Sequence, residues 1–171
     1  MVISNKANIL MQGESRPAFT MIELIFVIVV LGILSAVAIP RLAASRDDAV
    51  LVKGKSQVAA IRSGISLQKS KNMLEGTTPF IPAKLDDVTN YGEVDNERLF
   101  NFNDGNNSNI LEYPIYSGSK DGSWFKSAQF LYDFKLVSGI TVVFTYDPNN
   151  GSFNCNLTDA ATGSDCKSLT Q

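Results

Sequence analysis

Arg16-Pro17-Ala18-Phe19-Thr20-Met21-Ile22-Glu23-Leu24-Ile25-Phe26 opens a stretch that then stays apolar as far as Ile39. From Leu24 to Ile39 no side chain carries a charge. With Phe19 to Glu23 added, the run reaches about the 20 residues that an α-helix needs to cross a bilayer core. A helix that spans, or nearly spans, a membrane is therefore expected. Gly32 lies inside the run and Pro40 at its end. Both weaken a soluble helix, yet they are better tolerated in membrane helices packed on neighbours, so a kink or local melting is expected between Gly32 and Pro40.

Downstream of Pro40 the helical period persists but becomes one-sided. Leu51, Val58, Ile61 and Ile65 fall on or near one face, with Arg46, Lys53 and Lys71 pointing away. Lys55 and Arg62 sit at the edge of this stripe and Lys69 within it, so a domain should cover only part of the helix. A continuous helix from Phe19 to about Asn72 would be roughly 80 Å long, too long for a small domain to bury. Gly76, Pro79 and Pro82 should end it, and the region rich in Asn, Asp and Gly around Asn101 to Asn109 reads as irregular loop.

In the last third the period changes to that of strands. Gly139 to Tyr146 is β-branched and aromatic, Asp147 to Gly151 is a turn, and Ser152 to Asn156 is a second short run, together a hairpin. Gln129 to about Leu136 could add a third antiparallel strand, giving a sheet whose apolar face covers the amphipathic part of the helix.

Composition removes several classes of function. The 171 residues hold 15 Lys and Arg against 17 Asp and Glu, a net charge of −2, with no global attraction for nucleic acid. Histidine is absent, which removes the commonest general base and the commonest metal ligand. No nucleophile, base and orienting group stand at a suggestive spacing, so no enzyme, no cofactor and no metal site are expected. Cys155 and Cys166 are the two cysteines, too few for an ordinary four-ligand zinc site, and a disulfide closing a short loop is the better reading. Such a bridge contributes roughly 2 to 3 kcal/mol on the chain-entropy estimate.

The segment from Arg16 through Phe26 into the apolar run resembles the prepilin leader and N-terminal helix shared by type IV pilins and the pseudopilins of type II secretion. Four features match together: a polar leader with Lys6 and Arg16, the small residue Ala18 before Phe19, Glu23 as the fifth residue after that junction, and the unbroken apolar run. Gly32 and Pro40 sit where this family commonly has a helix-weakening glycine and proline. The family most often has glycine where this chain has Ala18. The resemblance implies cleavage between Ala18 and Phe19 by a prepilin peptidase, N-methylation of Phe19, and assembly through Glu23, Gly32 and Pro40. Glu23 would pair with the amino group that cleavage creates at Phe19, which offsets the cost of a carboxylate in an apolar helix.

The fold implied is α+β and pilin-like: a long N-terminal helix on a small antiparallel sheet, with a C-terminal disulfide loop. The expected divisions are a leader over 1–18, a transmembrane and filament-core helix over 19–39, its amphipathic continuation over 40–76 and a β-sheet head over 77–171. The implied function is that of a filament subunit serving attachment, motility, type II secretion or DNA uptake. Its implied partners are copies of itself, other pilins or pseudopilins, the prepilin peptidase, an inner-membrane assembly platform and membrane lipid. Before assembly it would be a single-pass inner-membrane protein with a periplasmic head, and afterwards part of a periplasmic or extracellular filament.

Other readings stay open at this point. Ala36-Val37-Ala38 offers an ordinary signal-peptide site, which would release an exported binding protein, and a plain membrane anchor is a further reading. Glu23 could sit at the membrane interface with its carboxylate in water, and the two thiols could be reduced. Asp104-Gly105-Asn106-Asn107-Ser108 could supply oxygen ligands to calcium but lacks EF-hand spacing, and Asn106 heads an Asn-x-Ser glycan acceptor. Lys53, Lys55, Arg62, Lys69 and Lys71 could meet DNA phosphates, although they do not share one helix face and such charges are more often solvated or used in subunit contacts.

Overall fold

A computed structural model describes residues 19–101 and 109–171. The leader through Ala18, including Lys6 and Arg16, and the calcium and glycan readings on Asp104 to Ser108 lie outside these residues. The chain falls into two compact units that divide between Arg41 and Leu42. Helix α1 spans Met21–Glu75 and contributes to both. Gly32 and Pro40 are both helical, so the local melting expected there is absent. Proline lacks only its own N–H, and a helix this long has many remaining bonds to hold the register.

In the second unit α1 shows a single buried stripe. Gly54, Val58, Ile61, Ile65 and Gln68 recur at spacings of three and four and are all buried, while Leu51 packs against the core from its margin. The two glycines of this half mark close approaches. A Cβ on Gly54 would overlap the Phe134 ring and a Leu169 methyl, and one on Gly64 would overlap the backbone carbonyl of Ile110. The helix ends as its breakers predict. Gly76 takes a left-handed φ of 69°, its N–H donates to the Met73 carbonyl, and the Thr77 N–H donates to that of Asn72. This Schellman arrangement satisfies two carbonyls of the last turn.

The sheet is antiparallel, in the order β3 (Trp124–Ala128), β4 (Leu131–Lys135), β5 (Thr141–Asp147) and β6 (Ser152–Cys155). β1 (Arg98–Leu99) and β2 (Ile115–Tyr116) form a separate antiparallel pair. The three expected strands are present with trimmed ends. Gly139 belongs to a short 3-10 turn over Val137–Gly139 with a φ of 81°, so its strand begins at Thr141 instead. β3 is an addition to the expected set. Trp124, Phe125 and Lys126 are all buried, so this strand has no clear alternation to read.

Against the α1 stripe lies an aromatic cluster. Trp124 packs on Phe134 and Phe144 at centroid distances of 4.9 and 5.3 Å, and Phe144 stacks on Phe153 at 5.1 Å. Each such pair adds about 0.5 to 1.5 kcal/mol beyond the area it buries. The Trp124 indole N–H reaches the Gln57 side-chain carbonyl at 3.0 Å, so the ring is also fixed in orientation on α1.

One ion pair is fully enclosed. Lys126 Nζ lies 2.6 Å from Asp86 Oδ1 and also donates to the Val88 carbonyl, with the two side chains 4% and 0% exposed. Asp86 also accepts from the backbone N–H groups of Val88 and Phe100. The Tyr91 and Tyr132 rings lie 5.7 and 5.6 Å from the ammonium. Elsewhere on the sheet Ser127 donates to Asp133, whose carboxyl burial pushes above its usual range while that hydrogen bond opposes the shift.

Truncating one member of such a pair leaves a buried charge alone. Lys126→Ala should therefore destabilise the protein by about 3 to 5 kcal/mol, whereas Lys126→Met with Asp86→Leu should recover most of the loss. Chemical denaturation of the two variants checks this, and equal losses in both would contradict it. Gly64→Ala should lower stability by about 1 to 3 kcal/mol by the same assay, because the clash with the Ile110 carbonyl outweighs the gain in helix propensity.

Candidate functional site

The first unit is described by its helix alone. α1 begins with Thr20 as its N-cap: the Glu23 N–H donates to Thr20 Oγ1 at 3.3 Å and to the Thr20 carbonyl at 3.1 Å. Thr20 and Glu23 thus stand in the spacing of a capping box, and the carboxylate lies in the first turn, where the helix dipole favours negative charge. Of these two residues, only Glu23 is among the four features on which the resemblance rests. The Thr-x-x-Glu spacing is the signal in the sequence that marks Thr20.

After this turn the helix is apolar on every side. Within it, Phe26 is 68% exposed and Ile39 66%, and Phe19, just ahead of the helix, is 84% exposed. No residue in the most apolar part of the helix is buried, and that part is long and apolar enough to cross a membrane. An exposed apolar surface of this extent marks a contact with lipid or with other helices rather than a solvated face. Gly32 lies within it, and a Cβ added there would meet nothing within 4 Å, so no described neighbour in this chain requires a glycine at that position.

In the second unit the two cysteines form a disulfide, with Cα atoms 5.8 Å apart. It joins the end of β6 to helix α2 (Gly163–Thr170), which buries Gly163, Cys166 and Leu169. The terminal segment is thus helical rather than a plain loop. Its approach is shaped by Asp159, whose carboxylate accepts from the Ala161 and Thr162 N–H groups and the Thr162 hydroxyl. Those hydrogen bonds hold the Asp159 carboxyl below its usual range.

Three basic residues of α1 are committed within the chain. Arg46 pairs with Asp121 at 2.9 Å, Lys53 Nζ donates to the Gly122 carbonyl at 2.6 Å, and the Arg62 guanidinium donates to the Phe153 carbonyl and Asn154 Oδ1, both at 2.9 Å. Arg46 and Lys53, expected to point away, instead fasten the helix to the turn that precedes β3. No group of three or more His, Cys, Asp or Glu is gathered to hold a metal ion among the described residues.

No protein-family model matches the chain, and no solved structure matches it. Three curated proteins, each named type II secretion system core protein G, are similar to it. The one from Klebsiella michiganensis is 34% identical over 68 residues, and those from Pseudomonas aeruginosa and Aeromonas hydrophila are each 32% identical over 68. Each match covers 40% of this chain and 48% of the relative, so the chain spans about half the length of the curated relatives it matches. Beside that similarity, the architecture of one long N-terminal helix, antiparallel sheets and the Cys155–Cys166 bridge is α+β and pilin-like.

Proposed function

We propose that the chain is a structural subunit of a pseudopilin type, inserted in a membrane by α1 and assembled with other pseudopilins into a filament of a type II secretion system. The observation that carries this reading is the exposed apolar surface of α1 up to Leu42, with one carboxylate, Glu23, in its first turn. The names of the three similar proteins support the secretion assignment over attachment, motility or DNA uptake.

Assembly exchanges contacts with lipid for contacts between helices. The segment 19–39 supplies the filament core, 40–76 its amphipathic continuation and 77–171 the head. A prepilin peptidase cuts between Ala18 and Phe19 and methylates the new N-terminus, and Glu23 pairs with the charged amino group of Phe19 on an adjacent subunit. Gly32 and Pro40 lower the cost of bending the helix during transfer from the membrane. The chain supplies no catalysis, and the peptidase and the assembly platform are other proteins.

A second reading, release after an ordinary signal cut behind Ala38, is disfavoured by position. Ala36 to Ile39 lie inside continuous helix, which a protease would have to unwind before reaching the bond.

Mass spectrometry with N-terminal sequencing of protein from its native membrane should give a start at Phe19 carrying an added methyl group, and a start at Ile39 or Met1 would contradict the proposal. Glu23→Gln separates the two roles open to this residue, because glutamine still completes a capping box but has no charge. Incorporation into filaments, read from the sheared fraction, should fall by about tenfold or more, as expected for losing one partner of a close charge pair. Wild-type incorporation would leave Glu23 with a capping role alone.

A further inference from the structure

A cleft of about 310 Å³ opens in the head beside the small β1–β2 ribbon. Its polar lining includes Asp87, Asn90, Asn96, Glu97, Arg98 and Asn101. None of these residues takes part in the assembly described above. We propose that this cleft binds a neutral saccharide.

The lining matches hydroxyl groups in kind. Side-chain amides, carboxylates and a guanidinium set donors and acceptors next to each other, and a sugar offers the same alternation along its ring. The lining is also held in place before any ligand arrives. Asn101, only 7% exposed, accepts from Arg98 Nη2 at 2.6 Å and donates to the Leu111 carbonyl at 3.3 Å. Glu97 accepts from the Asn90 amide at 2.9 Å, and its own N–H donates to Ser117 Oγ at 2.9 Å. Side chains already fixed by one partner lose less freedom when a ligand takes their remaining sites.

The backbone here is unusual. Asn96 and Phe100 have φ of 67° and 58°, so two non-glycine residues in the left-handed region bracket Glu97, Arg98 and Leu99. Asparagine tolerates this conformation, but an aromatic residue at such a φ costs on the order of 1 to 3 kcal/mol. The fully buried Phe100 ring, packed 4.8 Å from Tyr132 and 5.7 Å from Trp124, offsets it. Such strain concentrates at ligand sites, and here the strained positions flank Glu97 and Arg98, which both line the cleft.

An aromatic residue outside the lining pairs with one of its members. Tyr116 lies directly opposite Arg98 in the β1–β2 register, so the two side chains share a face of the ribbon, and Tyr116 is 58% exposed. An exposed tyrosine offers an apolar face and a hydroxyl tip, which suits the C–H face of a sugar ring. Charge then selects among saccharides. Asp87 and Glu97 outnumber Arg98, so phosphate, sulfate or uronate groups would meet net repulsion. The volume lies at the lower end of the range for small-molecule sites and fits one or two sugar rings.

The test uses the full chain in a zwitterionic, non-glycosidic detergent, titrated with cellobiose, maltose, lactose and N,N′-diacetylchitobiose and followed by amide NMR. At least one disaccharide should bind with a Kd on the order of millimolar and move the side-chain amide signals of Asn90, Asn96 and Asn101. Tyr116→Ala, at an exposed position, and Arg98→Ala should each weaken that binding by about tenfold, with unchanged unfolding midpoints for Tyr116→Ala as the control for folding. The proposal is overturned if none of the four probes binds, if the shifts map elsewhere, if both variants bind as well as the parent, or if a sulfated disaccharide binds more tightly than its neutral counterpart.

Discussion

The stripe of Gly54, Val58, Ile61, Ile65 and Gln68 on α1 is the surface against which the head is built. Its two flat places, at Gly54 and Gly64, admit Phe134, Leu169 and the Ile110 backbone to a distance that any side chain would deny them. The Trp124 indole then fills the centre and takes its orientation from Gln57. The contact is hydrophobic in energy, at roughly 25 cal/mol per Å² of apolar surface buried, but its register is set by glycines and by single hydrogen bonds.

Along the chain one helix answers to two surroundings. Up to Leu42 apolar side chains lie on all sides and are exposed, and from Val50 onward one face of them is buried while others, such as Val52 and Leu67, stay exposed. The change in pattern needs no change in backbone, because the helix satisfies its own peptide groups in either medium. The sequence signals that survive are those that depend on this pattern.

That is why the helix, its end at Gly76 and the strands at Leu131–Lys135, Thr141–Asp147 and Ser152–Cys155 are readable from composition and period. Elements whose burial does not follow a period are not. β3 buries Lys126 beside Trp124 and Phe125, and partners distant in the chain, Asp86 and the Val88 carbonyl, explain how a lysine can lie there. α2 is short and mostly polar, buries just three residues, and is tied down by a bridge and by Asp159. The angle of Lys53 on the helix wheel points it outward, yet a side chain that long can curl back to a carbonyl at Gly122. In the N-terminal region the family motif makes Glu23 conspicuous, while the cap formed by Thr20 rests on a backbone contact that no periodicity reports.

The fastening of Arg46, Lys53 and Arg62 onto the chain's own acceptors also alters how the head looks electrically from outside. Arg46 is neutralised by Asp121, but Lys53 and Arg62 keep their charge, because the Gly122 and Phe153 carbonyls and Asn154 Oδ1 are neutral, and each is held at a fixed place. A copy approaching another within a Debye length, about 10 Å at 0.1 M salt, would meet positive charges at Lys53 and Arg62 that are held in place rather than free to swing aside. Crowding such subunits together becomes a question of counterions as well as of fit.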